Sequence, residues 1–205
     1  MKKILITAVA LVSFATAIAQ DENTTEGFAK GDIFVSGSVG FNSQKHADDK
    51  LSSFEITPSV GYFISENITI GGRIGFESTK VEGDSFETDF LSTPGKSSTF
   101  SIGAFGRYYT TPANKFSIFG ELAANYLSTK VDPDATTTDT TIDGFGIGLS
   151  PGVSYFLSSN FALEATWGAL QYSTSKADFD GAESLDAFQI GLDLDDIRLG
   201  LLYKF

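Results

Sequence analysis

Apolar and polar side chains alternate through most of this chain, most cleanly at its carboxyl end: Ile197-Arg198-Leu199-Gly200-Leu201-Leu202-Tyr203-Lys204-Phe205. Successive side chains of a strand point to opposite faces. Ile197, Leu199, Leu201, Tyr203 and Phe205 therefore share an apolar face, while Arg198, Gly200 and Lys204 share the other. An aromatic row of this kind suits a strand with lipid outside and a polar lumen inside.

Eight such segments can be counted, over about 32–41, 53–64, 67–78, 99–110, 115–128, 144–157, 160–172 and the stretch that ends at Phe205. Their outward rows include Ile33, Val35, Val39 and Phe41, then Ile56, Val60 and Tyr62, then Ile68, Ile70, Ile74 and Phe76. Later rows hold Phe100, Ile102 and Tyr108, then Phe116, Ile118 and Leu122, then Phe145, Ile147 and Tyr155, then Phe161, Leu163 and Trp167. Their inward rows are Ser, Thr and Gly with a few charges. Each segment is roughly 9–13 residues, enough for a tilted strand to cross a bilayer. In the last one, Ile190, Leu192 and Leu194 are out of phase with Ile197 and Leu199, and a bulge at Asp195-Asp196 would reconcile them. Connections alternate between tight (65–66, 111–114, 158–159) and long and polar (42–52, 79–98, 129–143, 173–187). Short turns at one membrane face and long loops at the other are the asymmetry of a transmembrane barrel. The fold expected is all-β, an eight-stranded antiparallel up-and-down transmembrane β-barrel spanning 31–205.

One hairpin is repeated. Ile56-Thr-Pro-Ser-Val-Gly-Tyr-Phe-Ile-Ser-Glu-Asn-Ile68 aligns without gaps to Leu149-Ser-Pro-Gly-Val-Ser-Tyr-Phe-Leu-Ser-Ser-Asn-Phe161. Tyr and Phe beside each turn would form an aromatic girdle at the inner interface, for which Tyr62, Tyr108, Tyr155, Phe161 and Trp167 are the candidates.

The amino end reads as a secretory signal peptide over 1–19. Lys2 and Lys3 precede an apolar run, and Ala17-Ile18-Ala19 offers a cleavage site before Gln20. A polar, flexible lead over 20–30 follows. The chain has no cysteine, which excludes disulfides and thiolate metal sites. Loss of Lys2 and Lys3 leaves twelve basic residues against 26 acidic, a net charge of about −14. That balance argues against a nucleic-acid partner.

The Ala-Ile-Ala-Gln junction, the Tyr-Phe-x-x-x-Asn hairpins and the terminal Leu-Leu-Tyr-Lys-Phe resemble the small outer-membrane β-barrel family, of the OmpA/OmpX type and the porin-family proteins of Bacteroidetes-like bacteria. The resemblance covers essentially the whole chain after the signal peptide. It implies a monomer in the Gram-negative outer membrane, surrounded by outer-membrane lipids. It also implies that Tyr203 and Phe205 carry the signal read by the outer-membrane assembly machinery. Larger OmpA-type proteins add a peptidoglycan-binding domain after the barrel, and that activity is not transferred to a sequence given as far as Phe205.

An eight-stranded barrel is just wide enough for side chains to fill. The inward row supplies Glu55, Arg73, Glu77, Arg107, Glu121, Glu164, Arg198 and Lys204. Arg73, Arg107, Glu121, Glu164 and Arg198 are expected near mid-height, where they could form a charge network that closes the lumen. The alternative is a wet lumen whose charges face water. A lipid-facing Arg would cost about 2–4 kcal/mol at mid-membrane, so the interior is the favoured place.

Catalysis would need a nucleophile, a base and an orienting acid. His46, the one histidine, lies near Asp48, Asp49, Ser43, Ser52 and Ser53, but polar loops hold such residues by composition alone. Acidic groups (Glu82, Asp84, Glu87 and Asp89; Asp132, Asp134, Asp139 and Asp143; Asp178, Asp180, Glu183 and Asp186) fit no calcium-loop spacing and read as a solvated negative surface. No metal or cofactor is expected.

The first reading is therefore a non-enzymatic outer-membrane barrel with a structural or surface-interaction role. A narrow porin-like channel is the alternative. A barrel enzyme and a soluble, lipocalin-like barrel with its faces inverted are the remaining rivals. Cell fractionation should place the protein in the outer membrane, and on a heat-modifiability gel the unheated protein should run ahead of the boiled one. Recovery in the soluble fraction would favour the inverted barrel.

Overall fold

The computed structural model describes residues 26–47, 49–83, 94–134, 139–179, 181–191 and 197–205. Among these the chain forms ten strands: β1 (Ile33–His46), β2 (Asp49–Phe63), β3 (Ile68–Glu82), β4 (Gly95–Tyr109), β5 (Phe116–Pro133), β6 (Thr140–Phe156), β7 (Phe161–Trp167), β8 (Leu170–Ala177), β9 (Leu185–Ile190) and β10 (Ile197–Lys204). β7 and β8 together make the seventh barrel strand, and β9 and β10 the eighth. Neighbours pair antiparallel around the ring, which closes through β1–β10 and β5–β6. The architecture is a closed eight-stranded antiparallel barrel.

Period two governs the wall. Ile, Val, Leu, Phe and Tyr of the predicted outward rows are exposed on the outer face, while Ser, Thr, Gly and the charged residues turn inward. Short turns join β2 to β3, β4 to β5 and β6 to β7 at one end, which we call the inner end.

The strands run past the predicted limits. Residues 42–46 and 49–52, expected as loop, continue β1 and β2 and pair up to His46–Asp49, with Ala47 at a φ of 53° in the turn. β3 reaches Glu82 and β4 starts at Gly95, β5 reaches Pro133, and Leu170–Ala177 pairs with Leu185–Ile190. Above a membrane both faces of a strand meet water, so ladder pairing continues where alternation stops.

The seventh strand, predicted as continuous over 160–172, is broken. Gly152 pairs with Thr166 but Leu149 pairs with Leu170, so two residues of β6 face three of the neighbouring strand. This is a bulge. Pro151, one of those two, has no N–H to give the ladder. Pro58, its counterpart in the repeat, likewise falls in a gap in β2–β3 pairing, which resumes in register. On the other side of the break, Trp167 pairs with Ile197 and Leu170 with Ile190. The phase change expected in the eighth strand thus falls between Ile190 and Ile197. The proposed Asp195-Asp196 bulge lies outside the described residues, as does the expected signal peptide over 1–19.

Inside, three glycines leave room for rings on the neighbouring strand. Phe34 lies over Gly61, Phe105 over Gly71 and Phe119 over Gly152, each an opposed cross-strand pair. A Cβ at these glycines would come within 2.2, 2.3 and 2.4 Å of the rings. Gly71→Val should destabilise the barrel by about 1–3 kcal/mol, the usual effect of overpacking. Gly72→Val, on the outer face with its nearest neighbour at 3.7 Å, should be tolerated. Urea midpoints of refolded protein would read the difference.

Candidate functional site

The lumen is built in layers. Lowest is an aromatic floor. Phe34, Phe63, Tyr109, Phe119, Phe156 and Leu202 are buried there by β1, β2, β4, β5, β6 and β10. Phe28 sits at its centre, 2% exposed, with its ring 4.6 Å from Phe63, 4.8 Å from Phe156, 5.3 Å from Tyr109 and 5.8 Å from Phe34. The lead predicted to be flexible over 20–30 therefore folds, from residue 26 on, across the inner mouth. Residues 20–25 lie outside the described residues.

This arm is pinned at several points. The Phe28 amide donates to Pro112 O at 2.7 Å, the Gly31 amide to Phe63 O at 2.9 Å and the Ala29 amide to Asp32 Oδ2 at 2.9 Å. Lys204 Nζ donates to Gly27 O at 2.5 Å and lies 3.6 Å from Asp32. Gly27 holds φ +111°, and a Cβ there would collide with the backbone of Ala113 and Pro112. At the rim, Lys115 donates to Glu26 at 3.1 Å, and that hydrogen bond raises the Lys115 pKa. As an exposed pair it adds little stability.

The charge layer rests on the floor. Arg107 donates through Nε to Glu121 at 2.7 Å and through Nη1 to Glu164 at 2.8 Å and to the Tyr109 hydroxyl at 3.0 Å. Arg73 makes an ion pair with the other Glu121 oxygen. Arg107, Glu121 and Glu164 are 7, 4 and 6% exposed. The Arg107 guanidinium also stacks 4.6 Å from the Phe119 ring centre and 4.9 Å from that of Phe105, and the Arg73 guanidinium lies 4.7 Å from the same Phe105 ring. Buried charges persist only when paired and hydrogen-bonded, and these are.

Four of the predicted lumen residues thus meet directly. They stand two to five residues from the inner ends of their strands, in the inner half of the barrel rather than at mid-height. Glu55, Glu77 and Arg198 stand higher, on the wall of a cavity of about 320 Å3 above the network. Glu55 and Glu77 are opposed across β2–β3 and accept hydrogen bonds from Thr57 at 3.0 Å and Thr79 at 3.3 Å.

The girdle residues divide. Tyr62, Tyr108, Tyr155 and Phe161 are exposed at the inner end, and Tyr203 packs edge-on between Phe161 and Phe205. Trp167 is six residues above Phe161, about 20 Å of strand, and so lies outside that ring. The neighbours of the outward tyrosines, Phe63, Tyr109 and Phe156, turn inward and build the floor. Sequence reading missed the floor because a Tyr-Phe pair beside a turn looks the same whichever ring faces lipid. It missed Phe28 because one aromatic in a polar segment has no periodicity.

His46 is exposed at the tip of the β1–β2 hairpin, opposite Asp49. By strand alternation Ser43 and Ser52 point to the other face from it. Ser53 pairs with Asn42, four positions down the strand. Asp48 lies outside the described residues. The outer ends also carry Lys45, Lys50, Lys80, Lys96, Lys130 and Lys176, so the rim alternates in sign rather than being uniformly negative. Lys80 pairs with Glu82 and Lys130 with Asp139. Of the acidic groups, Asp84, Glu87, Asp89 and Asp180 lie outside the described residues.

A closed ring of eight strands, apolar outside and polar within and bordered by tyrosines at one end, defines an outer-membrane barrel. The chain belongs to the outer membrane protein beta-barrel domain family, whose model matches residues 6–205. Its fold is similar to that of Neisserial surface protein A (TM-score 0.51, 17% identity, 86% of this chain and 100% of that one). It is also similar to OprG of Pseudomonas aeruginosa (TM-score 0.55, 14% identity, 88% and 98%). No curated protein sequence matches it.

Arg107→Met would leave Glu121 and Glu164 buried without their shared cation, and should cost about 3–5 kcal/mol. Glu164→Gln keeps an acceptor for Arg107 and should cost less. Phe28→Ala, which empties the centre of the floor, should cost a comparable ~3–5 kcal/mol. Equilibrium urea unfolding of the refolded barrels checks all three.

Proposed function

We propose that this protein is a closed outer-membrane barrel with a structural or surface-interaction role rather than a solute channel. The carrying observation is the pair of stacked layers across the inner half of the lumen. A guanidinium bound to two carboxylates lies directly on a floor of six rings and a leucine. A solute moving along the axis would have to part a buried ion network and then an aromatic core. The long outer hairpins, with alternating lysines and carboxylates, are the surface offered to partners. We read the protein as non-enzymatic, since His46 and its neighbouring serines fall on different faces or levels of one hairpin. Tyr203 and Phe205, outward at the inner rim, fit a role as the assembly signal.

The narrow-channel alternative draws on the polar cavity above the network. Planar-bilayer recording separates the two. The wild-type barrel should show no sustained open level, and the Phe28→Ala/Arg107→Ala double variant should leak. Stable unitary conductance from the wild type would replace the closed-barrel reading with the channel.

A further inference from the structure

The outer ends of the strands repeat one spacing. Six of them carry an outward aromatic and, four residues farther out, a lysine. The pairs are Phe41 and Lys45 on β1, Phe54 and Lys50 on β2, and Phe76 and Lys80 on β3. The others are Phe100 and Lys96 on β4, Tyr126 and Lys130 on β5, and Tyr172 and Lys176 on β8. A separation of four keeps both side chains on one face of a strand. The aromatics are exposed on the lipid face, so the lysines point outward as well, and all six are exposed. Lys30, Lys115 and Lys204, the lysines left after those of the expected leader, belong to the inner end.

These aromatics are a second girdle, level around the barrel. Phe41–Phe54, Phe76–Phe100, Tyr126–Phe145 and Tyr172–Phe188 are opposed across four hairpins. From one pair to the next the register steps by two residues, since Ile56 faces Phe76, Ile102 faces Tyr126 and Ile147 faces Tyr172. Tilted strands need such a stagger to hold a ring at one height. Phe54 is eight residues from Tyr62 and Phe100 eight from Tyr108, both of the inner ring. That is about 20 Å of tilted strand, near the ~25 Å height of an apolar belt with aromatics at both borders. The Tyr126 hydroxyl donates to Asp143 at 2.8 Å and that of Tyr172 to Asp186 at 3.2 Å, so polar groups begin directly above. The lysines stand about 10 Å beyond the girdle, at headgroup height, on flexible stems.

Four of the lysines are directly opposed, Lys45 to Lys50 and Lys80 to Lys96. Like charges opposite one another destabilise a sheet, and an anion between them removes the repulsion. The two pairs are related by the same two-residue step, since Lys50 faces Glu82 and Ser52 faces Lys80. They therefore share one height and lie two strand spacings apart, on the order of 10–12 Å. Lysine is a compact point charge suited to phosphate. We propose that the two pairs are a docking surface for an outer-leaflet glycolipid whose sugar head carries two phosphates. One phosphate lies on each lysine pair, and the acyl chains lie against Phe41, Phe54, Phe76 and Phe100 below. Glu82 stands between the pairs and holds Lys80, an exposed ion pair weak enough to exchange. Lys130 and Lys176 have no lysine opposite them, facing Thr141 and Asp143. The surface rests on the outer-membrane placement and not on a closed lumen: a conducting barrel could carry the same pairs, and the two readings fail in different experiments.

The full-length barrel, refolded in non-ionic detergent, is titrated with bisphosphorylated lipid A, with its monophosphorylated form and with phosphatidylglycerol, and the complexes are counted by native mass spectrometry. The bisphosphorylated lipid should saturate at a single molecule per barrel and bind about tenfold or more tighter than the other two. Lys45→Gln/Lys50→Gln and Lys80→Gln/Lys96→Gln should each weaken it by about tenfold or more. Lys130→Gln/Lys176→Gln removes the same charge from unopposed positions and should weaken it by less than about threefold. All six positions are exposed, and a heat-modifiability gel verifies that each variant is folded. Equal affinity for phosphatidylglycerol, or equal losses in the opposed and unopposed double variants, would reduce the pairs to diffuse surface charge and overturn the site. So would binding of heparin fragments that depends on the four lysines with none of the glycolipid, which would assign the pairs to a soluble polyanion.

Discussion

Arg107 is the charge around which the interior is organised. A guanidinium cannot lose its proton to escape burial, so its surroundings must supply both counter-charge and hydrogen-bond acceptors. Glu121 and Glu164 give both, Tyr109 adds an acceptor, and Phe119 and Phe105 offer ring faces to the remaining surface. The two carboxylates come from β5 and β7, so the interaction fixes the relative height of strands far apart in sequence. Arg73 shares Glu121 and extends the bond to β3.

The same logic divides the wall by depth. Where hydrocarbon surrounds it, backbone pairing must be complete and side chains apolar. Toward the inner mouth this is met throughout, and glycines opposite rings let the core thicken without bending the strands. Toward the outer half, the bulge at Pro151 and the break at Gly168-Ala169 face each other between β6 and the seventh barrel strand.

Much of this was legible because period two is a local signal. Face, strand number, the short-turn end and the inward charges follow from counting residues two apart. Strand length did not, because above the membrane alternation is no longer imposed: Ser43–Lys45 and Lys50–Ser52 look like loop yet pair like strand. Lumen height is not legible for Arg73, Arg107, Glu121 and Glu164, which stand in the inner half, since height depends on which turn residues count as strand. The floor was invisible because its parts, Phe28, Phe34, Phe63, Tyr109 and Phe156, are separated by up to 128 positions and meet only when the ring closes. The meeting of Arg73 with Glu121, two strands away from it in the ring, is likewise set by shear and tilt rather than by any sequence spacing.

The arm at the inner mouth ties the two ends of the sequence together. Phe28 is among the first residues after the expected leader, yet its slot is walled by β1, β2, β4 and β6, and Gly27 is held by Lys204 near the opposite end of the sequence. Contacts of such long range carry a large loop-closure entropy, which the floor and the lysine pin must offset together. Phe28 and Gly27 can take their places only when strands from both ends of the sequence have met, because the slot and its pin come from β1 and β10 alike.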